Sequence, residues 1–198
     1  MISQRLVSQM DFILEIDKLK TIVRQNFLSD GKRRENDTEH SWHLAVMAIV
    51  LSEHFPGIDI LKTVTMVLIH DVVEIDAGDT FAYDPVGYES KSDRENEAAK
   101  RLFALLPKDQ ADYYRDLWHE FEEMNTDEAV CGAILDRLQP LLMNYHSKGK
   151  MWKDKGVTEA KLRMRNEIVF QKGPEEIRDY VEYLIQEAKV KGYLPDIE

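Results

Sequence analysis

Residues 60–80 read ILKTVTMVLIHDVVEIDAGDT. From Thr63 to His70 the run carries no Asp, Glu, Lys or Arg and is apolar nearly all round, the pattern of a helix buried on every side. Asp59 is placed to cap its start, so a central helix is expected from Ile60 to about Val73. The β-branched residues would also suit a buried strand, which is the local alternative. After Val73 the pattern changes to acids, and Gly78 opens a turn.

Helical spacing recurs on either side. Between Ser3 and Phe27, Leu6, Met10, Ile13, Ile16, Leu19 and Val23 fall three and four apart, which predicts one helix with one apolar face. Residues 28–36 read as a polar, basic loop. Asn36 and Glu39 form a capping-box signature for a helix to about His54, closed by Pro56-Gly57. Residues 76–91 read as a long loop, a feature that in a compact domain tends to be functional. Ser92 and Glu95 suggest another capping box, opening a helix to Leu106. Helices follow at about 108–124, 126–146, 158–172 and 174–190, the last with Ile177, Val181, Leu184, Ile185 and Ala188 on one face. The expected fold class is all-α, a single domain over residues 1–198 with eight or nine helices. The helices at about 158–190 either pack on the core or form a dimer interface.

Composition narrows the function classes. A hydrophobic fraction of 43% is too high for a disordered chain. A formal charge of −11 argues against partners such as nucleic-acid polymers or anionic membranes, which need a basic footprint. The stretch Ser41–Ser52, among the longest without Asp, Glu, Lys or Arg, is well short of the ~18–20 residues of a membrane span. The N-terminal MISQRLVSQMDFILEIDK intersperses acids and amides where a secretion signal is continuously apolar. The one cysteine, Cys131 in AVCGAIL, reads as a small core residue, and a cytoplasmic address is expected.

Ionisable residues in apolar surroundings concentrate at three places: Glu39-His40-Ser41, His70-Asp71 with Glu74 and Asp79 after it, and Asp136 in AVCGAILDRLQPLL. Each has an ordinary reading. His40 could cap a helix, His70 and Asp71 could pair at a helix end, and Asp136 could pair with Arg137. Taken together they point elsewhere. Adjacent His and Asp cannot share one face of a regular helix, which turns about 100° per residue, but can reach one ion where the helix ends or distorts. Two imidazoles and two carboxylates make an N₂O₂ set that suits Mn²⁺, Co²⁺, Zn²⁺ or Fe²⁺ better than Ca²⁺.

The order His40, His70-Asp71, Asp136 resembles the HD-domain metal-dependent phosphohydrolases. With the stretch Leu19–Arg24, Glu39-His40-Ser41, HDVVEIDAGDT at 70–80 and LDRLQP at 135–140, the chain looks like the branch that contains the bacterial 5′-deoxynucleotidases and their relatives. The likeness covers roughly residues 5–145. It implies an HD-domain bundle in which His40, His70, Asp71 and Asp136 hold one divalent metal. It further implies Glu74 as acid/base residue, Asp79 as holder of the water or the sugar, and Arg24 as the phosphate contact. His43, one turn from His40, reads as a helix-surface or core residue, with support of a ligand as the alternative. Gln25 stands where bacterial members usually carry tryptophan, which leaves sugar selectivity open. The expected reaction is hydrolysis of a nucleoside 5′-monophosphate, a small-molecule substrate, by a homodimer. The alternatives are another HD hydrolase, acting on a cyclic nucleotide, a triphosphate or an alarmone, and a non-catalytic module that a metal cross-links.

Overall fold

A computed structural model describes residues 1–195. In chain order the α-helices are α1 (Gln4–Ile16), α2 (Asp37–Val50), α3 (Ile60–Ile69), α4 (Glu74–Ala77), α5 (Pro85–Glu89) and α6 (Lys91–Phe103). Then come α7 (Lys108–Glu123), α8 (Asp127–His146), α9 (Lys150–Lys155), α10 (Glu159–Arg165), α11 (Glu167–Lys172) and α12 (Glu175–Val190). Two short strands, β1 (Val23–Phe27) and β2 (Arg34–Asn36), pair antiparallel with Val23 opposite Asn36 and Phe27 opposite Arg34. The fold is all-α apart from this hairpin. Among the described residues no helix is long and apolar enough to cross a membrane.

Helix α8 is the axis, packed against α2, α3, α7, α11 and α12. Its run from Cys131 to Asp136 is buried throughout, because these helices cover it on several sides. Gly132 sets the spacing there: a Cβ at this position would stand 3.0 Å from Phe121 and 3.2 Å from Val67. Further along α8, Pro140 removes the amide that would otherwise bond the carbonyl of Asp136. Helix α12 turns Val181, Ile185 and Ala188 into the same core.

Several expectations are corrected. The helix expected over Ser3–Phe27 stops at Ile16, and a 3₁₀ turn, Asp17–Thr21, leads into β1. The apolar stripe that suggested one long helix is not a core face: Leu6, Met10 and Ile13 are exposed, and Phe12 is buried instead. The loop expected at 28–36 ends in β2. The helix expected over 158–172 breaks at Asn166, whose buried amide donates to the Leu162 carbonyl at 2.8 Å. No capping box forms at Ser92: α6 starts earlier, at Lys91, which pairs with Glu95 at 2.9 Å. The loop expected at 76–91 contains α5, and Arg94 ties the loop down through the Ala77 carbonyl and Thr80 Oγ1. Finally α3 ends at Ile69 and not at Val73, and His70–Val73 form a 3₁₀ turn. That tighter winding supplies the distortion at the His-Asp pair which the site requires.

Candidate metal centre and its pocket

The capping box at Asn36 fixes the first turn of α2. The Asn36 side chain accepts from the Glu39 amide at 2.9 Å, and the Glu39 carboxylate accepts from the Asn36 amide at 3.1 Å. His40 follows and points inward, fully buried. Its Nδ1 lies 3.1 Å from Gln139 Oε1, while the Gln139 amide donates to Glu35 at 2.7 Å. Because a carboxylate accepts from the amide nitrogen, the Gln139 carbonyl is turned toward His40. His40 Nδ1 is therefore the protonated nitrogen, and Nε2 offers a lone pair to the centre.

His70 repeats the arrangement. Its Nδ1 donates to the Val67 carbonyl at 2.9 Å, and its buried Nε2 makes no hydrogen bond. Around these two nitrogens stand carboxylates. His40 Nε2 is 2.9 Å from Asp136 Oδ1, and His70 Nε2 is 3.1 Å from Asp71 Oδ1 and 3.9 Å from Asp136 Oδ1. His40, His70 and Asp71 each offer a ligand atom within 4.8 Å of the others. Lone pairs thus face lone pairs in a buried space, an arrangement that a cation relieves. The residues fit a divalent metal.

Burial and charge act differently on the two imidazoles. Burial, with Arg24 nearby, presses the His40 pKa down to about 4 and favours the neutral ligand form. Burial works against charge on His70 too, but Asp71 and Asp136 outweigh it and lift its pKa to about 8. Burial disfavours the Asp136 carboxylate, yet Arg137 and the two histidines hold it well below the usual range.

Arg24 lies on β1, not on the helix expected there, and the hairpin carries it to the cluster. Its Nη1 donates to Asp71 Oδ2 at 2.6 Å and to Asp37 Oδ1 at 3.1 Å. Asp37, Asp71 and Glu74 each bring an oxygen within 4.8 Å of the others. Glu74 is buried, with Oε2 unpartnered, and burial followed by Asp71 and Asp37 pushes its pKa well above the ordinary value. Asp79 is half-buried after Gly78, whose φ of +75° suits glycine and ends α4. Burial raises its pKa as well.

Arg24, His70, Asp71, Glu74, Asp79 and Asp136 line one cavity of about 260 Å³, with His40 behind it. Gln25 is also on the wall, accepting from Arg34 at 2.8 Å. His43 stays outside the cluster, its Nδ1 3.3 Å from Gln139, and His54 pairs with Glu176 at 2.7 Å. Asp136 divides its oxygens: Oδ1 faces His40 while Oδ2 accepts from Arg137, the pairing also expected. Sequence reasoning passed over Asp37, Glu35 and Gln139. For Gln139 a signal existed, three residues after Asp136 and so on the same side of α8.

Comparisons with known proteins give the chain's relatives. The HD domain family model matches residues 16–178. The human 5′-deoxynucleotidase HDDC2 is 31% identical over 136 residues, 68% of this chain and 66% of that protein. The Bos taurus 5′-deoxynucleotidase HDDC2 is 31% identical over 134 residues, 67% of this chain and 64% of that protein. The match thus spans just under two thirds of these curated relatives. The crystal structure of a predicted metal-dependent phosphohydrolase from Magnetospirillum magnetotacticum superposes with a TM-score of 0.91 at 49% identity, covering 98% of this chain and 99% of that one. Fold and family model converge: the chain belongs to the HD domain family, and the curated relatives above are named 5′-deoxynucleotidases.

Proposed function

We propose that the chain is a 5′-nucleotidase, hydrolysing (deoxy)nucleoside 5′-monophosphates to nucleoside and phosphate. The observation that carries this reading is the pair of Nδ1-anchored histidines, one lining the cavity and one behind it, beside Asp71, Asp136, Arg24 and Glu74. His40, His70, Asp71 and Asp136 would hold one divalent ion, of the Mn²⁺, Co²⁺, Zn²⁺ or Fe²⁺ type that an N₂O₂ set favours. Bound there, such an ion supplies Lewis acidity toward phosphoryl oxygens and lowers the pKa of water.

The remaining work falls to the chain. A phosphate monoester is a dianion whose transition state spreads charge over its equatorial oxygens. Arg24 makes both of its hydrogen bonds from Nη1, which leaves Nη2 for a phosphate oxygen and orients the ester. Glu74, buried and with a free oxygen, takes the proton from the attacking water and passes it toward the leaving 5′ oxygen. Asp79, at the turn after Gly78, holds the water or the sugar. The chain acts in the cytoplasm as a homodimer.

The test is phosphate release from all ribo- and deoxyribonucleoside 5′-monophosphates, with Mn²⁺, Co²⁺, Zn²⁺ and Mg²⁺ in turn. The expected result is release that depends on a divalent ion and ends on chelation. Release from no monophosphate, or equal release after chelation, would overturn the reading.

A further inference from the structure

Beside the metal cavity lies a second chamber of about 520 Å³, a size suited to a small organic group. The two share Tyr83, Tyr88, Arg137 and Arg165 on their walls, so they are immediate neighbours. The outer chamber differs sharply from the inner one. Tyr83, Tyr88, Met164 and Ile168 give it aromatic and apolar faces, on which a planar ring can stack. Its charged groups are nearly all donors: Arg137, Arg165 and Lys161. The lone carboxylate there, Asp84, caps α5 by accepting from the Val86 amide at 3.1 Å.

Among the described residues the two arginines share one carboxylate, Asp136. Arg137 and Arg165 both lean on Asp136 Oδ2, the latter at 3.6 Å, and Asp136 is assigned to the metal through its other oxygen. Arg165 also reaches the Tyr88 hydroxyl at 3.4 Å. Guanidinium and ammonium groups cannot accept hydrogen bonds. A ligand edge carrying a carbonyl oxygen meets complementary donors here, whereas an amino group sets N–H against N–H.

We propose that the outer chamber seats the nucleobase of the substrate and selects bases with a carbonyl oxygen at purine C6 or pyrimidine C4 over bases with an amino group there, with Arg165 and Lys161 as the specificity-determining residues. The inference rests on the nucleotide reading above and assigns the end of the substrate remote from the phosphate. Guanine, hypoxanthine, thymine and uracil are the favoured class. Adenine and cytosine are the disfavoured one.

The experiment measures kcat and KM for deoxyinosine and deoxyadenosine 5′-monophosphates, which differ at the 6-position by a carbonyl against an amino group, and for the thymine–cytosine pair. The expected preference for the carbonyl base is about tenfold in kcat/KM, the worth of one hydrogen bond to a charged group, and is carried by KM. Arg165→Met should bring the ratio close to one. Lys161→Met, remote from Asp136, should lower it by a smaller factor. Ratios near one in the wild type, or ratios unchanged in both variants, overturn the inference while leaving the nucleotidase reading intact. Hydrolysis of no monophosphate at all overturns both.

Discussion

Gln139 acts on the centre without being one of its ligands. It is fully buried and does two jobs: its carbonyl holds His40 Nδ1 and its amide satisfies Glu35. Replacing it with leucine keeps the volume but frees the His40 ring to rotate or change tautomer, and leaves Glu35 without its donor. Loss of such a ligand-orienting partner typically weakens metal binding by about 10–100-fold. Gln139→Leu is therefore expected to lose metal affinity by that factor, read by titration against a competing chelator, with helical content unchanged by circular dichroism. Affinity equal to the wild type would show that His40 needs no such support. Of the residues at the cluster, His40, His70, Asp71, Glu74, Asp79 and Asp136 drew attention in the sequence as ionisable groups in or beside apolar runs, and Arg24 only through the family resemblance. Gln139, Glu35 and Asp37 did not. Gln139 offered only its place three residues after Asp136, since both of its partners lie about a hundred positions away in the chain.

Elements explain where local reading succeeded and where it failed. The capping box at Asn36 was legible because its two hydrogen bonds join residues three apart. The first segment misled because its three-and-four spacing lay on a face that the fold leaves in solvent, while β1 depends on pairing with β2 beyond the turn. The 3₁₀ turn at His70 was anticipated only as a distortion, since nothing in HDVV states how tightly it winds. The long elements are secure by comparison, α8 above all. At its crossing with α3 and α7, Gly132 allows Val67 and Phe121 to close on the helix. Gly132→Val forces atoms into contacts near 3 Å and should cost about 1–3 kcal/mol, the usual range for overpacking a core. For a chain of this size that corresponds to a fall in Tm of roughly 2–12 °C by calorimetry. An unchanged Tm would mean that the crossing has slack which the packing does not show.

At the scale of the whole molecule, charge and surface sort the partners. The acidic excess is concentrated in part at the centre, where Asp37, Asp71, Glu74, Asp79 and Asp136 gather against Arg24, Arg137 and the proposed ion. A small dianion can approach that local positive focus even though the chain as a whole repels polyanions. The apolar surface has a separate consequence. Helix α2 leaves Trp42, Val46, Ile49 and Val50 exposed along one face, opposite the face that carries His40 and Leu44 into the core. A second copy covering this face is the arrangement expected for the proposed homodimer. Light scattering should give twice the chain mass for the wild type and one chain mass for the double variant Trp42→Glu, Ile49→Glu. A wild-type monomer, or a variant that stays dimeric, would remove α2 from that role. The central claim, that His40, His70, Asp71 and Asp136 hold the ion on which phosphate release depends, is tested most directly by one paired measurement on His70→Ala: bound divalent metal per chain by elemental analysis, and phosphate released from nucleoside monophosphates by the same preparation. The account predicts about one ion per chain and metal-dependent release in the wild type, with both lost in the variant; full metal content together with full phosphate release in His70→Ala would contradict it.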